Sequence, residues 1–380
     1  MGNPPLLPRE GVPQHAVEEN REHQLGMIRQ LSNKVIEVHV PVLNERDSLA
    51  RLVNSFESQS FKRFVVIFHD NASDDGTSEL IESLTSTNER YKHIRYQTRG
   101  NWWVQFGRIL AFPKHARYVS LRSSNDYIFP NYYGEVFEVL EMNPHCALAY
   151  SHGYELPVNS EVALYNQAAR IDTREMDSKE SLQHTVRTFT QPFSFWGTYR
   201  TNVFNRITRI ECYGQDHVQV AEASTYGSII PTASPLDMLI NRERRLSRIE
   251  QELGLSPLWT AYHPQVSRGT LPNSQTINPD IFAPFTSMLL GHIKMLLSRY
   301  QTQIESTQMI NAMTSSFKSR FAPFIELEES LLRHKYSDYH ELITNTLLGS
   351  KHPIDAHLIT DFFNSGSYAE LLLASRLIHG

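Results

Sequence analysis

From Lys34 onward the chain alternates short apolar, β-branched runs with longer stretches whose apolar residues recur at helical spacing. That alternation points to an α/β fold with right-handed βαβ units and a mostly parallel sheet. Val35-Ile36-Glu37-Val38-His39-Val40 reads as a first strand. Phe64-Val65-Val66-Ile67-Phe68 reads as a second, a continuous apolar run of the kind buried on both faces. Between them Leu49, Leu52, Val53 and Phe56 form a helical stripe, with Asp47 or Ser48 as the expected N-cap. Leu80, Ile81 and Leu84 mark a second helix, and Tyr133, Val136, Phe137 and Leu140 a third. Ile94–Tyr96, Tyr118–Leu121 and Ala147–Tyr150 are expected as further strands.

Beyond about residue 155 the pattern loosens, with Phe193–Tyr199 expected as a strand and Val218–Tyr226 as a helix. Residues 264–280, rich in Pro, Ser, Thr and Asn, read as a linker. Phe285–Tyr300, Phe324–Leu332, Tyr339–Leu348 and Tyr368–Ile378 read as four helices of a C-terminal region over 281–380. Residues 1–33, with Pro4, Pro5, Pro8 and Pro13, read as a mobile leader carrying a short helix around Glu18–Leu31.

Composition removes several function classes. Net charge is -5 and the basic residues are scattered, so no nucleic-acid surface is expected. No apolar stretch reaches the roughly 18 residues that span a bilayer, and the N-terminus has no apolar signal core. Two distant cysteines, Cys146 and Cys212, suit reduced thiols better than a disulfide framework, which makes a cytoplasmic location the expectation.

Polar signatures end the first two strands. Pro41-Val42-Leu43-Asn44-Glu45 closes one, and Asp70-Asn71-Ala72-Ser73-Asp74-Asp75-Gly76-Thr77 the other. Ligands of open α/β sheets sit outside the carboxyl ends of the strands, so residues there can share one ligand. Read alone, Asp70 is either an acceptor for a base N–H or ribose hydroxyl, or a turn aspartate. Asp74 and Asp75 fit a turn feeding a helix N-terminus.

Taken jointly, the two signatures resemble the opening of a family-2 glycosyltransferase with the GT-A fold, a Rossmann-like α/β sheet flanked by helices. The resemblance implies a domain over 34–263 and a nucleotide-sugar donor, with UDP as the family default. It implies that Pro41, Val42, Asn44, Glu45, Asp70 and Asn71 hold the nucleotide, joined by Arg99, Ser124 and Asn125. The family's acidic, metal-binding motif after the fourth strand is altered here to Ser123-Ser124-Asn125-Asp126, before Pro130. A divalent Mn²⁺ or Mg²⁺ ion would then rest on Asp126, Asn125 and His263, the last within a His-Pro-x-x-Ser segment, with one charge fewer than usual. Arg99, Arg108 and Arg122 are alternative cations for the leaving group by proximity in sequence. Cys212-Tyr213-Gly214-Gln215-Asp216-His217 resembles the segment that carries the family's catalytic base, which makes Asp216 the implied base of an inverting transfer to a hydroxyl of a glycan, lipid-linked or protein acceptor. Trp196 lies where relatives have an acceptor-side segment. The Trp102-Trp103 pair is either stacking surface or packing. The helical C-terminal region resembles nothing identified; roles open to it are homo-oligomerisation, acceptor docking or peripheral membrane contact, beside plain core packing. The rival reading is a non-catalytic GT-A-fold protein that binds nucleotide or glycan.

Overall fold

The computed structural model describes residues 35–100, 102–157, 160–166, 170–210, 212, 214–240 and 284–335. The expected leader, the 264–280 linker and the helices expected at Tyr339–Leu348 and Tyr368–Ile378 lie outside the described residues.

The first half follows the sequence pattern closely. It runs β1 (Ile36–Val42), α1 (Arg46–Glu57), β2 (Phe64–Asp70), α2 (Thr77–Thr87), β3 (Tyr91–Arg95), α3 (Trp102–Ala111), β4 (Tyr118–Leu121), β5 (Tyr127–Ile128), α4 (Tyr132–Met142) and β6 (Cys146–Tyr150). There follow β7 (Gly153–Leu156), β8 (Leu164–Tyr165), α5 (Ser178–Thr188), β9 (Thr198–Arg200), α6 (Thr201–Phe204), α7 (Gln215–Ser224), β10 (Ser228–Pro231), β11 (Asp237–Ile240), α8 (Pro284–Arg299) and α9 (Gln303–Lys335).

The main sheet has seven strands in the order β10-β6-β9-β4-β1-β2-β3. Neighbours pair in parallel except β9, which runs antiparallel between β4 and β6. A second sheet, β5-β11-β7-β8, lies outside what the sequence pattern indicated. β1 and β2 are buried along their whole length. Their alternate residues, such as Val38, Val40, Phe64 and Val66, join one apolar cluster with Phe56 and Tyr133. A second cluster gathers Phe106, Leu121, Tyr150, Phe195 and Tyr199. Each fully buried side chain of this size contributes about 1.5–3 kcal/mol.

Three local expectations need correction. Helix α1 begins at Arg46 with Glu45 in the N-cap position, so Asp47 and Ser48 lie inside the first turn. Residues 192–197 form turns rather than a strand: the Trp196 N–H donates to the Pro192 carbonyl (3.0 Å) and the Gly197 N–H to Ser194 (3.1 Å). Those turns fold Phe193 and Phe195 inward, and the strand starts only at Thr198. The helix expected at Phe324–Leu332 is part of α9, which is 33 residues long. Helix α8 packs on α7, and α9 packs on α5.

Candidate functional site

Parallel strands place their carboxyl ends on one edge of the sheet, and that edge collects the polar segments. The loops after β1 and β2 are stitched together. The Asn44 N–H donates to the Ser73 hydroxyl (3.0 Å), and its side chain exchanges hydrogen bonds with Asp74 in both directions (2.8 and 3.0 Å). The Glu45 N–H donates to the Thr77 hydroxyl (2.8 Å), and the Glu45 carboxylate accepts from Ser48. Asn44 takes φ 54° and Gly76 φ 93°, left-handed values that Asn and Gly tolerate best. Pro41 and Val42 are buried; the Val42 carbonyl accepts from the Asn71 N–H (2.9 Å) and from Gln105 (3.1 Å).

Asp70 is fully buried at the end of β2. Its carboxylate accepts from the Ser73 N–H (2.9 Å), from the Ser78 hydroxyl and from His93 Nε2 (3.3 Å). Burial opposes ionisation, but these hydrogen bonds outweigh it and hold the carboxyl well below the usual range. Asn71 ties the segment after β3 to this edge. Its Oδ1 accepts from the Gly100 N–H (2.8 Å) and Arg108 (2.9 Å), and its amide donates to the Gly100 carbonyl (2.5 Å). Arg99 donates to the Ala72 carbonyl (3.1 Å) and pairs with Asp74 (3.0 Å), both of them exposed. Arg108 lies 4.3 Å over the Tyr96 ring. Behind that ring, Tyr96 bonds His69, and His69 bonds His39, each at 2.9 Å. Burial keeps both imidazoles neutral.

The loop after β4 gives a more particular picture. Arg122 is fully buried, so it is not the free cation that its position in sequence made it. It grips Asp237 of β11 through two 2.7 Å hydrogen bonds, donates to the Trp196 carbonyl (3.1 Å) and sits 5.0 Å over the Tyr132 ring. Ser124 is buried. The Asn125 amide donates to the Ile240 carbonyl (2.8 Å), its Oδ1 accepts from Ser123, and its backbone carbonyl accepts from Arg51 (2.9 Å). Asp126 is almost wholly buried, accepts from the Ile240 N–H (3.0 Å), and is pushed up to about 6 by that burial.

These residues do not by themselves fit a divalent-metal site. A hard cation takes several oxygen ligands, preferably anionic. Here one buried carboxylate stands beside a neutral amide that is already engaged on both atoms. Among the described residues no group of three His, Cys, Asp or Glu side chains could hold a metal. His263 lies outside the described residues.

Trp196, expected to face an acceptor, is half-buried, edge-to-face with Trp102 at 6.1 Å between ring centroids. Helix α7 precedes β10, which runs parallel to β6, so its first turn reaches the same edge of the sheet. Asp216 lies in that turn, half-buried, accepting from the His217 N–H (2.9 Å). Gly214, at φ 66°, makes the turn into the helix.

The sequence reading missed three supports of the site. The Arg122–Asp237 pair joins positions far apart in the chain and carries no local signal. Gln105 of α3, which donates to the Val42 and His69 carbonyls (both 3.1 Å), sits in a segment read only for its tryptophans and Arg108. Helix α5 was announced by its capping box, Asp177 with Glu180, which the structure forms in both directions.

Comparison with known proteins gives one family and several distant shapes. Residues 37–188 match the model described as glycosyl transferase family 2. No curated protein sequence matches the chain. Among solved structures, TarS 1–349 of S. aureus is 15% identical over 90% of this chain and 91% of that chain, with a TM-score of 0.44. Mannosyltransferase PcManGT from Pyrobaculum calidifontis is 10% identical over 96% of this chain and 94% of that chain, with a TM-score of 0.46. At such values these likenesses carry no argument about chemistry. Among the described residues no helix is long and apolar enough to cross a membrane. Residues 37–188 thus match the glycosyl transferase family 2 model, and the sheet that they build is mostly parallel and flanked by helices.

Proposed function

We propose that the protein is an inverting, nucleotide-sugar-dependent glycosyltransferase acting on a hydroxyl acceptor. The observation that carries this reading is the convergence of Asn44–Glu45, Asp70–Thr77, Ser123–Asp126 and Asp216 on one edge of a sheet within and beside the family 2 match. In this reading the linked loops after β1 and β2 hold the nucleotide. Pro41, Val42, Asn44, Glu45 and Asn71 shape the pocket, Asp70 fixes it from beneath, and Arg99 stands at its exposed rim. Ser124 and Asn125 face the donor from β4. Asp216 takes the proton of the acceptor hydroxyl as its oxygen attacks the sugar C1. The bond from C1 to the diphosphate oxygen breaks on the opposite face, the nucleoside diphosphate leaves, and a single displacement inverts the anomeric carbon. Trp196 offers an aromatic face to the acceptor. UDP is the nucleotide that the family favours.

One observation favours a second reading, a non-catalytic nucleotide- or glycan-binding protein. The acidic loop retains a single carboxylate, and that one is buried and raised toward neutrality. Titrating the protein with UDP and GDP, each with Mn²⁺ and with EDTA, and assaying nucleotide release from the matching sugar donors separates the two. Binding with turnover that Asp216→Asn abolishes, at unchanged nucleotide affinity, supports the transferase. Binding without turnover supports the second reading, and an active Asp216→Asn enzyme removes Asp216 as the base.

A further inference from the structure

The C-terminal helices lie beyond the 37–188 family match, and the sequence leaves several roles open to them. Their contacts with α7 are specific. His217, next to Asp216, is buried, as is His292 of α8. His217 Nε2 lies 3.2 Å from the Val186 carbonyl and His217 Nδ1 lies 2.8 Å from His292 Nε2. A carbonyl can only accept, so His217 carries its proton on Nε2 and its Nδ1 must accept. His292 therefore donates from Nε2, and its Nδ1 is left as a buried acceptor without a hydrogen-bond partner, as the structure shows. The same Val186 carbonyl accepts from Arg320 of α9 (3.2 Å), which also donates to the Phe189 carbonyl. The turn before Asp216 sits against α8 with no room to spare. A Cβ on Gly214 would meet the Met288 sulfur at 2.4 Å, and one on Gly291 would meet the Cys212 sulfur at 2.5 Å.

We propose that α8 is the floor on which the turn bearing Asp216 rests, and that His292 is a positioning residue for the transfer step through its hydrogen bond to His217. This rests on the proposed role of Asp216 as base. A base misplaced by an ångström loses turnover by orders of magnitude, while the donor pocket, built on β1 and β2, is untouched. The C-terminal helices are then part of the reaction centre rather than an appended module.

The test uses the full chain, with UDP and GDP calorimetry and nucleotide release from UDP-N-acetylglucosamine and GDP-mannose. His292→Leu should lower kcat at least tenfold with nucleotide affinity and donor KM within twofold. His292→Gln, which keeps an N–H for His217, should recover most of that rate. Gly291→Ala is an independent variant that leaves the hydrogen bond in place and pushes the turn away. It should also lower kcat, and Cys212→Ala in its background should restore activity by removing the sulfur. Wild-type kcat in both His292→Leu and Gly291→Ala overturns the proposal. So does a joint fall of kcat and nucleotide affinity that neither His292→Gln nor Cys212→Ala relieves, since that is the mark of a general loss of structure. If the native protein neither binds nor releases nucleotide, the proposed function falls and the positioning role falls with it. Native turnover with insensitive variants refutes the positioning role alone.

Discussion

Asp237→Asn should destabilise the protein far more than its conservative geometry suggests. Asp237 and Arg122 are both fully buried, and the guanidinium spends two 2.7 Å hydrogen bonds on the carboxylate. Asparagine fills the same volume but presents one oxygen and one NH₂, so a donor faces a donor and the cation loses the counter-charge bonded to it, keeping only the charge of Asp126 near it. Arg does not deprotonate in proteins, which blocks that route of relief. Breaking a buried pair on one side costs about 3–5 kcal/mol. Total stabilities are about 5–15 kcal/mol, so this is roughly a fifth or more of the margin. At about 2–4 °C per kcal/mol, the expected fall in Tm is roughly 6–20 °C. Urea unfolding followed by far-UV circular dichroism at pH 7, with the slope unchanged, measures the loss directly. The double variant Arg122→Met/Asp237→Leu removes both charges and should unfold within about 1 kcal/mol of the native protein, or be more stable. It still loses the donor to the Trp196 carbonyl, so its turnover should drop while its fold holds. A loss below about 1 kcal/mol for Asp237→Asn would refute the account of an uncompensated charge.

Three further tests follow from the geometry. Glu222 is buried, accepts from the Thr208 N–H and hydroxyl (2.8 and 2.7 Å), and is raised by burial to about 7. A raised carboxyl stabilises most below its unfolded pKa and loses that contribution as pH climbs through the folded value. Native stability should therefore decline between about pH 4 and 7, by up to ~3 kcal/mol from this group; Glu222→Gln should flatten that decline in urea melts, and an unchanged slope removes the assignment. The Asp70 carboxyl is shifted the other way, so its contribution is present above about pH 4 and drains away as pH falls. Asp70→Asn should weaken acid dependence of unfolding and reduce nucleotide affinity tenfold or more by calorimetry; undiminished affinity would place the base pocket elsewhere. Asn125→Asp would set a carboxylate oxygen against the Ile240 carbonyl now held by the amide, costing about 1–3 kcal/mol, and would add a second acid beside Asp126. Mn²⁺ binding should appear or tighten in calorimetry, and no change would show that this loop is not a metal position.

Much of the fold was legible where a single strand or helix carries its own pattern. β1, β2, β4 and β6 were readable because burial on both faces leaves short, nearly continuous apolar runs, and α1 and α4 because their burial is recorded every third and fourth residue. The second sheet was not, because β5 and β8 have two residues each and exist only through pairing with β11 and β7. The aromatic run at Phe193–Phe195 mimicked a strand, since burial by turns leaves the same apolar composition as burial by pairing. The site divides in the same way. Its loops announced themselves by Pro, Asn, Asp and Gly in fixed order, whereas Arg122 looked like a free cation until a partner over a hundred positions away was in view.

The stitching between the loops after β1 and β2 bears on how such a chain can change over time. Asn44 and Asp74 satisfy one another, as do Glu45 and Thr77 across backbone and hydroxyl. Loss of the Thr77 hydroxyl orphans the part-buried Glu45 N–H, and loss of the Asn44 side chain removes both of its bonds to Asp74, so each signature constrains the other. Homologues that alter Asn44 are expected to alter Asp74 with it, and grafting one loop from a relative without its mate should fail where grafting both succeeds. The two short motifs are held as one structural unit, which is why their joint occurrence is informative when each by itself is commonplace.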